Sequence, residues 1–194
     1  MTASARSRTR SRLLTVGLAA IVLTLAAAQP AGANHLWRMS NGAWIHQHTR
    51  TFPVYRYELG NTTWSIASAL AEKEWTDNTI LSLPYTNCHS CSRIHTQAAG
   101  YGTTGWLGLA EAQNLATTGH YTHGHVYYNW SYEETSAFLM HTACQEYGHL
   151  LGLDHDHNVV NCMNNDNILI YALGNGPSKH DSDLINSTYP ATGH

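Results

Sequence analysis

The sequence predicts an α+β domain, because one strand pattern and two helix patterns follow each other along the chain. Residues 52–59 alternate in the way that suits a strand, and Gly60 ends the run. Residues 63–75 have apolar side chains at helical spacing, and a second helix is predicted over about residues 131–151. Strands followed by helices are typical of the α+β class.

The first predicted helix, residues 63–75, has an apolar side and a charged side. Its apolar residues at helical spacing are Trp64, Ile66, Ala67, Leu70, Ala71 and Trp75. Glu72, Lys73 and Glu74 are expected to point toward solvent. The tryptophans expected in the core are Trp64, Trp75, Trp106 and Trp130.

The middle of the chain, residues 79–129, is rich in Gly, Thr and Tyr and contains short apolar runs. Residues 105–110 and 125–129 are the better strand candidates, and Tyr127 and Tyr128 fit a strand with one buried face. We expect these segments to form a sheet.

The second predicted helix has a start signal and a stop signal. Ser131-Tyr132-Glu133-Glu134 has the pattern of a capping box, so the helix is predicted to begin between Ser131 and Ser136. Gly152 is a natural stop, because a left-handed residue after the last turn is easiest without a side chain. The chain is then expected to be irregular over residues 158–176, with a short last helix over residues 181–189.

The first 33 residues have the pattern of an export signal. Four arginines precede the apolar run of residues 13–28, and Ala31-Gly32-Ala33 matches a cleavage site. We therefore expect a secreted, extracellular and monomeric protein with one domain, residues 34–194, and no membrane span after signal removal.

That domain has six basic and thirteen acidic residues, so its net charge is −7 with His neutral. This negative charge argues against nucleic acid or anionic lipid as partners.

The four cysteines all lie in the part expected to be exported, where an even number favours two disulfides. Of three possible pairings we favour Cys88 with Cys91, which closes a tight loop, and Cys144 with Cys162, which ties a helix to a downstream turn. A structural zinc site at Cys88 and Cys91 is the alternative, although C-x-x-C without a second such pair is weak evidence.

Possible metal ligands cluster at the end of the second predicted helix. Side chains four residues apart lie about 6 Å apart along a helix axis, so Gln145 and His149 could reach one ion. Gly152 lets the chain turn sharply, so that His155 could return as a third ligand. Glu146 projects from the neighbouring face, where its carboxylate could act as a general base.

This spacing resembles the metzincin signature H-E-x-x-H-x-x-G-x-x-H, and Cys162-Met163-Asn164 resembles the Met-turn of the same family. The likeness extends to matrixin-like proteins exported by actinobacteria. The phrases that carry it are Gly105-Trp106-Leu107-Gly108-Leu109-Ala110, Cys144-Gln145-Glu146 and His180-Asp181.

The resemblance implies a metzincin-like catalytic domain, with a twisted, mostly parallel sheet, two long helices and a short C-terminal helix. It implies a secreted endopeptidase in which His149 and His155 bind Zn²⁺, with Gln145 as the candidate third ligand at the position of the first family ligand. Glu146 would be the general base toward a metal-bound water. A protein or peptide substrate would lie extended along the edge strand near residues 105–110.

The chain departs from the family pattern at Gln145, where the family has histidine. An amide oxygen is a rarer and weaker zinc donor than imidazole. His157 is close enough in sequence to be a fallback ligand, whereas His141 is separated from His149 by about 12 Å along the helix axis. The alternative function is a non-catalytic pseudo-peptidase or extracellular binding module with a weakened metal site. A third hypothesis is a disulfide-stabilised structural protein of the cell surface.

His120, His123 and His125 form a second group of histidines in the sequence. They could bind another metal ion, but a polar strand edge exposed to water is the interpretation that we favour.

Overall fold

The computed structural model describes residues 35–57, 59, 62–157, 160–165 and 176–189. The expected export signal, residues 1–33, lies outside the described residues, as do residues 166–175 of the segment expected to be irregular.

The strands are β1 (Val54–Tyr57), β2 (Ile94–Ala99), β3 (Gly108–Gln113) and β4 (His123–Asn129). The helices are α1 (Thr62–Asn78), α2 (Ser136–Leu150) and α3 (Lys179–Thr188). Among the described residues, no helix is both long enough and apolar enough to cross a membrane.

The four strands form one sheet in the order β1-β2-β4-β3. β1, β2 and β4 are parallel, and β3 runs antiparallel to β4 at one edge. Parallel neighbours need a crossover, and α1 supplies the one between β1 and β2. The predicted α+β class with a mostly parallel sheet is confirmed. Sequence patterns did not find β2, whose residues Ile94, His95 and Thr96 are all buried, so that it lacks the alternation of a half-exposed strand.

One face of the sheet is covered by α1 and α2. The Trp64 ring of α1 stacks on Tyr128 of β4 with 4.4 Å between ring centroids. Trp75 donates a hydrogen bond from Nε1 to the carbonyl oxygen of Cys144, at 2.9 Å, and so ties α1 to α2. Both tryptophans are buried, as predicted. Trp130 is 43% exposed, and its prediction as a core residue is wrong.

The prediction that Glu72 faces solvent is also wrong, because it is only 4% exposed. Arg56 of β1 donates to both carboxylate oxygens of Glu72, from Nε at 2.8 Å and from Nη2 at 2.6 Å. The Tyr147 hydroxyl donates to the same carboxylate at 2.8 Å. A buried charge needs such partners, and helical periodicity cannot reveal them. Conversely, Ile66 and Leu70 of α1 are exposed by 54% and 38%.

The second helix begins later than the capping-box pattern suggests. Thr135 is its N-cap and accepts a hydrogen bond from the Phe138 amide at 3.3 Å. The Ser131 hydroxyl is used elsewhere, as the acceptor for the Gly102 amide at 2.8 Å. The end of the helix is as predicted, since Gly152 has a φ of 98°.

Both favoured disulfides are present. Cys88 and Cys91 are joined with 5.2 Å between their Cα atoms, and Cys144 and Cys162 with 5.7 Å. Pairing of Cys88 with Cys91 leaves no thiolate there for the alternative zinc site. The second bond fastens the middle of α2 to the segment that contains Met163.

We predict that Arg56→Met destabilises the fold by about 3 kcal/mol, because the buried Glu72 carboxylate loses its cation. Urea denaturation measures the free energy of unfolding. Lys73→Met is the matched control, since it breaks the exposed Lys73–Asp77 pair on the same helix and should leave stability unchanged. Equal effects of the two substitutions would contradict a structural role for the Arg56–Glu72 pair.

Candidate metal centre

A cavity of about 600 Å³ lies between α2, the start of β3 and the turn that follows α2. Its lining contains all four residues predicted for the site: Gln145, Glu146, His149 and His155. The other lining residues are Trp37, Gly105, Trp106, Leu107, Gly108, Leu109, Ala110, Tyr132, Glu134, Phe138, His141, Thr142, Asp154 and Asn165.

The two predicted histidine ligands face each other across this cavity, with 3.2 Å between their Nε2 atoms. His149 Nδ1 lies 2.8 Å from the carbonyl oxygen of Leu153, which can only accept, so Nδ1 carries the proton. Burial, followed by the neighbouring His155, lowers the pKa of His149 to about 4. The ring is therefore neutral at pH 7, and its Nε2 has a lone pair for a ligand.

This arrangement fits a zinc ion. Two ligand atoms at about 2.0–2.1 Å from a tetrahedral zinc lie roughly 3.3 Å apart, close to the distance between the two Nε2 atoms. The bond from His149 to the Leu153 carbonyl is the kind of outer contact that fixes the tautomer of a metal-binding histidine. Burial also lowers the pKa of His155 and favours the neutral ring that a metal requires.

The turn at Gly152 brings His155 back toward α2, and the segment before β1 holds that turn. The carbonyl oxygen of Gly152 accepts from the Trp37 amide at 2.7 Å and from Trp44 Nε1 at 2.8 Å. A Cβ at position 152 would meet the Trp44 indole and lie 2.8 Å from the Ile45 carbonyl oxygen. Both the left-handed backbone and this close approach therefore require glycine.

Gln145 lines the same cavity, with its amide held by the Met163 segment. Its Nε2 donates to the carbonyl oxygen of Asn164 at 3.2 Å. His141 Nε2 donates to that same oxygen at 3.1 Å. The nitrogen end of the Gln145 amide is thus engaged by the protein, which leaves Oε1 as the atom able to act as a metal ligand.

Glu146 is only 6% exposed and lies against β3. Burial raises the pKa of its carboxyl group to about 8, and a hydrogen bond with the backbone of Ala110 opposes that rise. A Cβ on Gly108 would lie 2.6 Å from Glu146 Oε1 and 2.6 Å from Thr142 Cγ2. Gly108 therefore leaves the space that the carboxylate occupies between α2 and β3.

Met163 is fully buried beneath the last turns of α2. A Cβ on Gly148 would collide with its sulfur atom, so that the helix backbone packs directly on the Met163 side chain. The Met163 carbonyl accepts from the Asp156 amide at 2.8 Å, which joins this segment to the loop carrying His155. The Met-turn role of Met163 that the resemblance implies stays a prediction. His157, the predicted fallback ligand, is exposed and does not line the cavity.

The favoured interpretation of the second histidine group is wrong for His123 and His125. Their strand, β4, lies between β2 and β3, so it is not an edge of the sheet. His120 lies apart from them, with its ring centroid 3.5 Å from that of His48. Instead His95 of β2, which sequence patterns did not single out, comes close to His123 and His125. The strand pairing that brings His95 there has no local sequence signal.

The chain matches no known protein-family model and no curated protein. Among solved structures it is similar to a chain of the GM1-bound form of the ECX AB5 holotoxin, with a TM-score of 0.55 and 12% identity. That match covers 78% of this chain and 86% of the other, and it supports a shared fold only. Myroilysin is a more distant neighbour, with a TM-score of 0.41 and 15% identity over 65% of this chain and 57% of that one. This second likeness is too low to carry an argument.

Proposed function

We propose that this protein is a secreted zinc endopeptidase of the metzincin type. The observation that carries the proposal is the close approach of His149 Nε2 and His155 Nε2, in a cavity that also contains a buried carboxylate, Glu146. In this proposal Gln145 Oε1 is the third ligand. A bound zinc ion would polarise the scissile carbonyl and lower the pKa of a water molecule.

Glu146 is the general base in the proposed reaction. Burial raises its pKa to about 8, and a zinc ion bound nearby would favour the ionised form. That carboxylate would then take a proton from the attacking water and later pass a proton to the leaving amine. A hydrogen bond with the backbone of Ala110 holds the carboxylate against β3. A base held in one place contributes more to the rate than one that must be ordered first.

The substrate is proposed to be an extended peptide that pairs with the edge strand β3. β3 is at the end of the sheet, so one side of its backbone has no neighbouring strand among the described residues. Six consecutive residues line the cavity, from Gly105 to Ala110, and the last three of them begin β3. A peptide added there would place its backbone beside Glu146.

Export of the protein is proposed on the leader pattern of residues 1–33. Two disulfides in the described part of the chain suit an oxidising compartment. The same compartment would give a secreted endopeptidase access to extracellular protein.

A non-catalytic binding module is the second candidate, and the hydrogen bond of Gln145 favours it. Its amide nitrogen is bonded to Asn164, so the residue has a structural role that needs no metal. With only two imidazole donors the site would bind zinc weakly. The cavity could then retain a peptide without cleaving it.

The proposed activity is tested by measuring zinc content and casein cleavage of the purified protein. We expect the protein to retain zinc after dialysis at neutral pH and to cleave casein, and we expect His149→Ala to hold at least one zinc ion fewer. Glu146→Gln should keep that zinc but lose at least about 100-fold in cleavage rate, since it lacks only the base. Glu74→Gln, an exposed change on α1, is the matched control. The proposed peptidase activity is refuted if the purified protein holds no zinc and does not cleave casein when zinc is added.

Gln145→His is predicted to bind zinc at least about 10-fold more tightly, because imidazole is a better zinc donor than an amide oxygen. Competition with a chromophoric chelator measures the affinity, and Gln145→Ala serves as the comparison that removes the donor. An affinity of Gln145→His equal to or below that of the unchanged protein would show that residue 145 is not a ligand.

A further inference from the structure

Four possible metal ligands meet where the segment before β1 contacts the loop after α2 and the start of α3. His35 belongs to the segment before β1, and Asp156 belongs to the loop that carries His155. His180 and Asp181 are in the first turn of α3. One ligand atom from each of the four lies within 4.8 Å of those of the others. We call His35, Asp156, His180 and Asp181 the α3 cluster. None of its members lines the α2 cavity.

The two most buried members of the α3 cluster face each other without a hydrogen bond. The side chains of His35 and Asp181 are 9% and 0% exposed, and His35 Nε2 lies 3.1 Å from Asp181 Oδ1. The two atoms are close enough for a hydrogen bond but are not aligned for one, and neither has another hydrogen-bond partner within the described part of the chain. A buried polar atom in that state costs free energy unless something binds it.

The other polar atoms of these two side chains are already engaged, which orients the unpaired ones. His35 Nδ1 lies 3.0 Å from the carbonyl oxygen of Asp154, which can only accept, so Nδ1 carries a proton. Asp181 Oδ2 accepts a hydrogen bond of 2.6 Å from the Ser178 amide in the capping box of α3. In the neutral ring, Nε2 of His35 therefore has a lone pair, and Asp181 has Oδ1, for a common ligand.

The two less buried members complete the set of donors. The His180 ring stacks on the His35 ring, with 5.1 Å between their centroids. The backbone of Asp156 is held by two hydrogen bonds, to the Met163 carbonyl at 2.8 Å and from the Asn165 amide at 3.3 Å. Little ordering is therefore needed before an ion binds.

The charges around the α3 cluster suit a divalent cation. The carboxylates of Asp156 and Asp181 balance a charge of 2+, and they outweigh the roughly half a positive charge of a helix N-terminus. Lys179, a basic residue in the same turn of α3, donates to both carboxylate oxygens of Asp183, at 2.6 and 2.8 Å. Its ammonium group is therefore engaged outside the cluster.

An ion pair without a metal is the competing account of the two buried members. Burial lowers the pKa of His35, but Asp181 is the main group that raises it, and the net shift is upward. A protonated His35 would pair with the Asp181 carboxylate and would repel a cation. That account gives no role to His180, whereas a metal ion would use all four side chains.

We propose that the α3 cluster binds a Zn²⁺ ion that fastens the segment before β1 and the loop carrying His155 to α3. Two imidazole nitrogens and two carboxylate oxygens suit zinc, whereas calcium and magnesium prefer oxygen ligands alone. Four protein ligands leave no open position on the ion, so its role is structural and distinct from that of the proposed catalytic centre. The ion stabilises the fold, because it binds only when the three segments are in contact.

The test compares two proteins that both carry His149→Ala, which removes a ligand of the proposed catalytic centre. Adding Asp156→Asn and His180→Gln removes the two less buried members of the α3 cluster and keeps the buried pair. Isothermal titration with zinc is done at about pH 8, where protons compete less for imidazole. We expect the added changes to weaken the binding of one zinc equivalent at least about 10-fold and to reduce the rise in the thermal unfolding midpoint on zinc addition. Zinc bound by other histidines is common to both proteins and cancels in the comparison.

His157→Gln in the same background is the matched control, since His157 is an exposed histidine beside Asp156 and outside the cluster. It should change neither measurement. Equal zinc binding with and without the cluster changes would overturn the site and leave the ion pair, and so would an equal loss in the control. If the cluster variant does not fold, anomalous diffraction at the zinc edge from crystals of the His149→Ala protein decides. A peak bonded to His35 Nε2 and Asp181 Oδ1 is expected, and its absence overturns the proposal.

Discussion

The sharp turn at Gly152 is the constraint on which the candidate metal centre depends. It returns the chain toward α2 within a few residues, so that His155 faces His149. The turn needs a glycine for its backbone conformation and for its contact with Trp44. Because Trp37 and Trp44 both donate to the Gly152 carbonyl, the segment before β1 is part of the structure that sets the distance between the two imidazoles.

The segment that contains Met163 holds α2, which carries Gln145 and His149, from the side opposite the Gly152 turn. The Cys144–Cys162 disulfide fastens the helix to the segment that follows the turn, and Met163 packs against Gly148 in the same region. That segment also supplies the carbonyl oxygen of Asn164 that holds Gln145. Helix, turn and disulfide therefore orient the two histidines and the glutamine before any metal binds, which lowers the entropic cost of assembling a site.

The local parts of this structure could be predicted from sequence, whereas the parts made by distant residues could not. A fixed spacing from Gln145 to His155 is read along one helix and one turn, and the structure brings those residues into one cavity. The pattern of α1 places Glu72 toward solvent, because its partner, Arg56, belongs to a strand 16 residues away. No sequence pattern indicates His95, because β2 has no alternation and its pairing with β4 joins residues 30 apart. Periodicity describes which side a residue is on, and it carries no information about what lies opposite.

The most direct test of the account is a crystal structure of the zinc-loaded protein with anomalous diffraction at the zinc edge. We predict an anomalous peak in the α2 cavity at about 2.0–2.1 Å from Nε2 of both His149 and His155. An α2 cavity without a peak at millimolar zinc, or a peak bonded to neither nitrogen, would contradict the central claim that the Gly152 turn builds a metal centre.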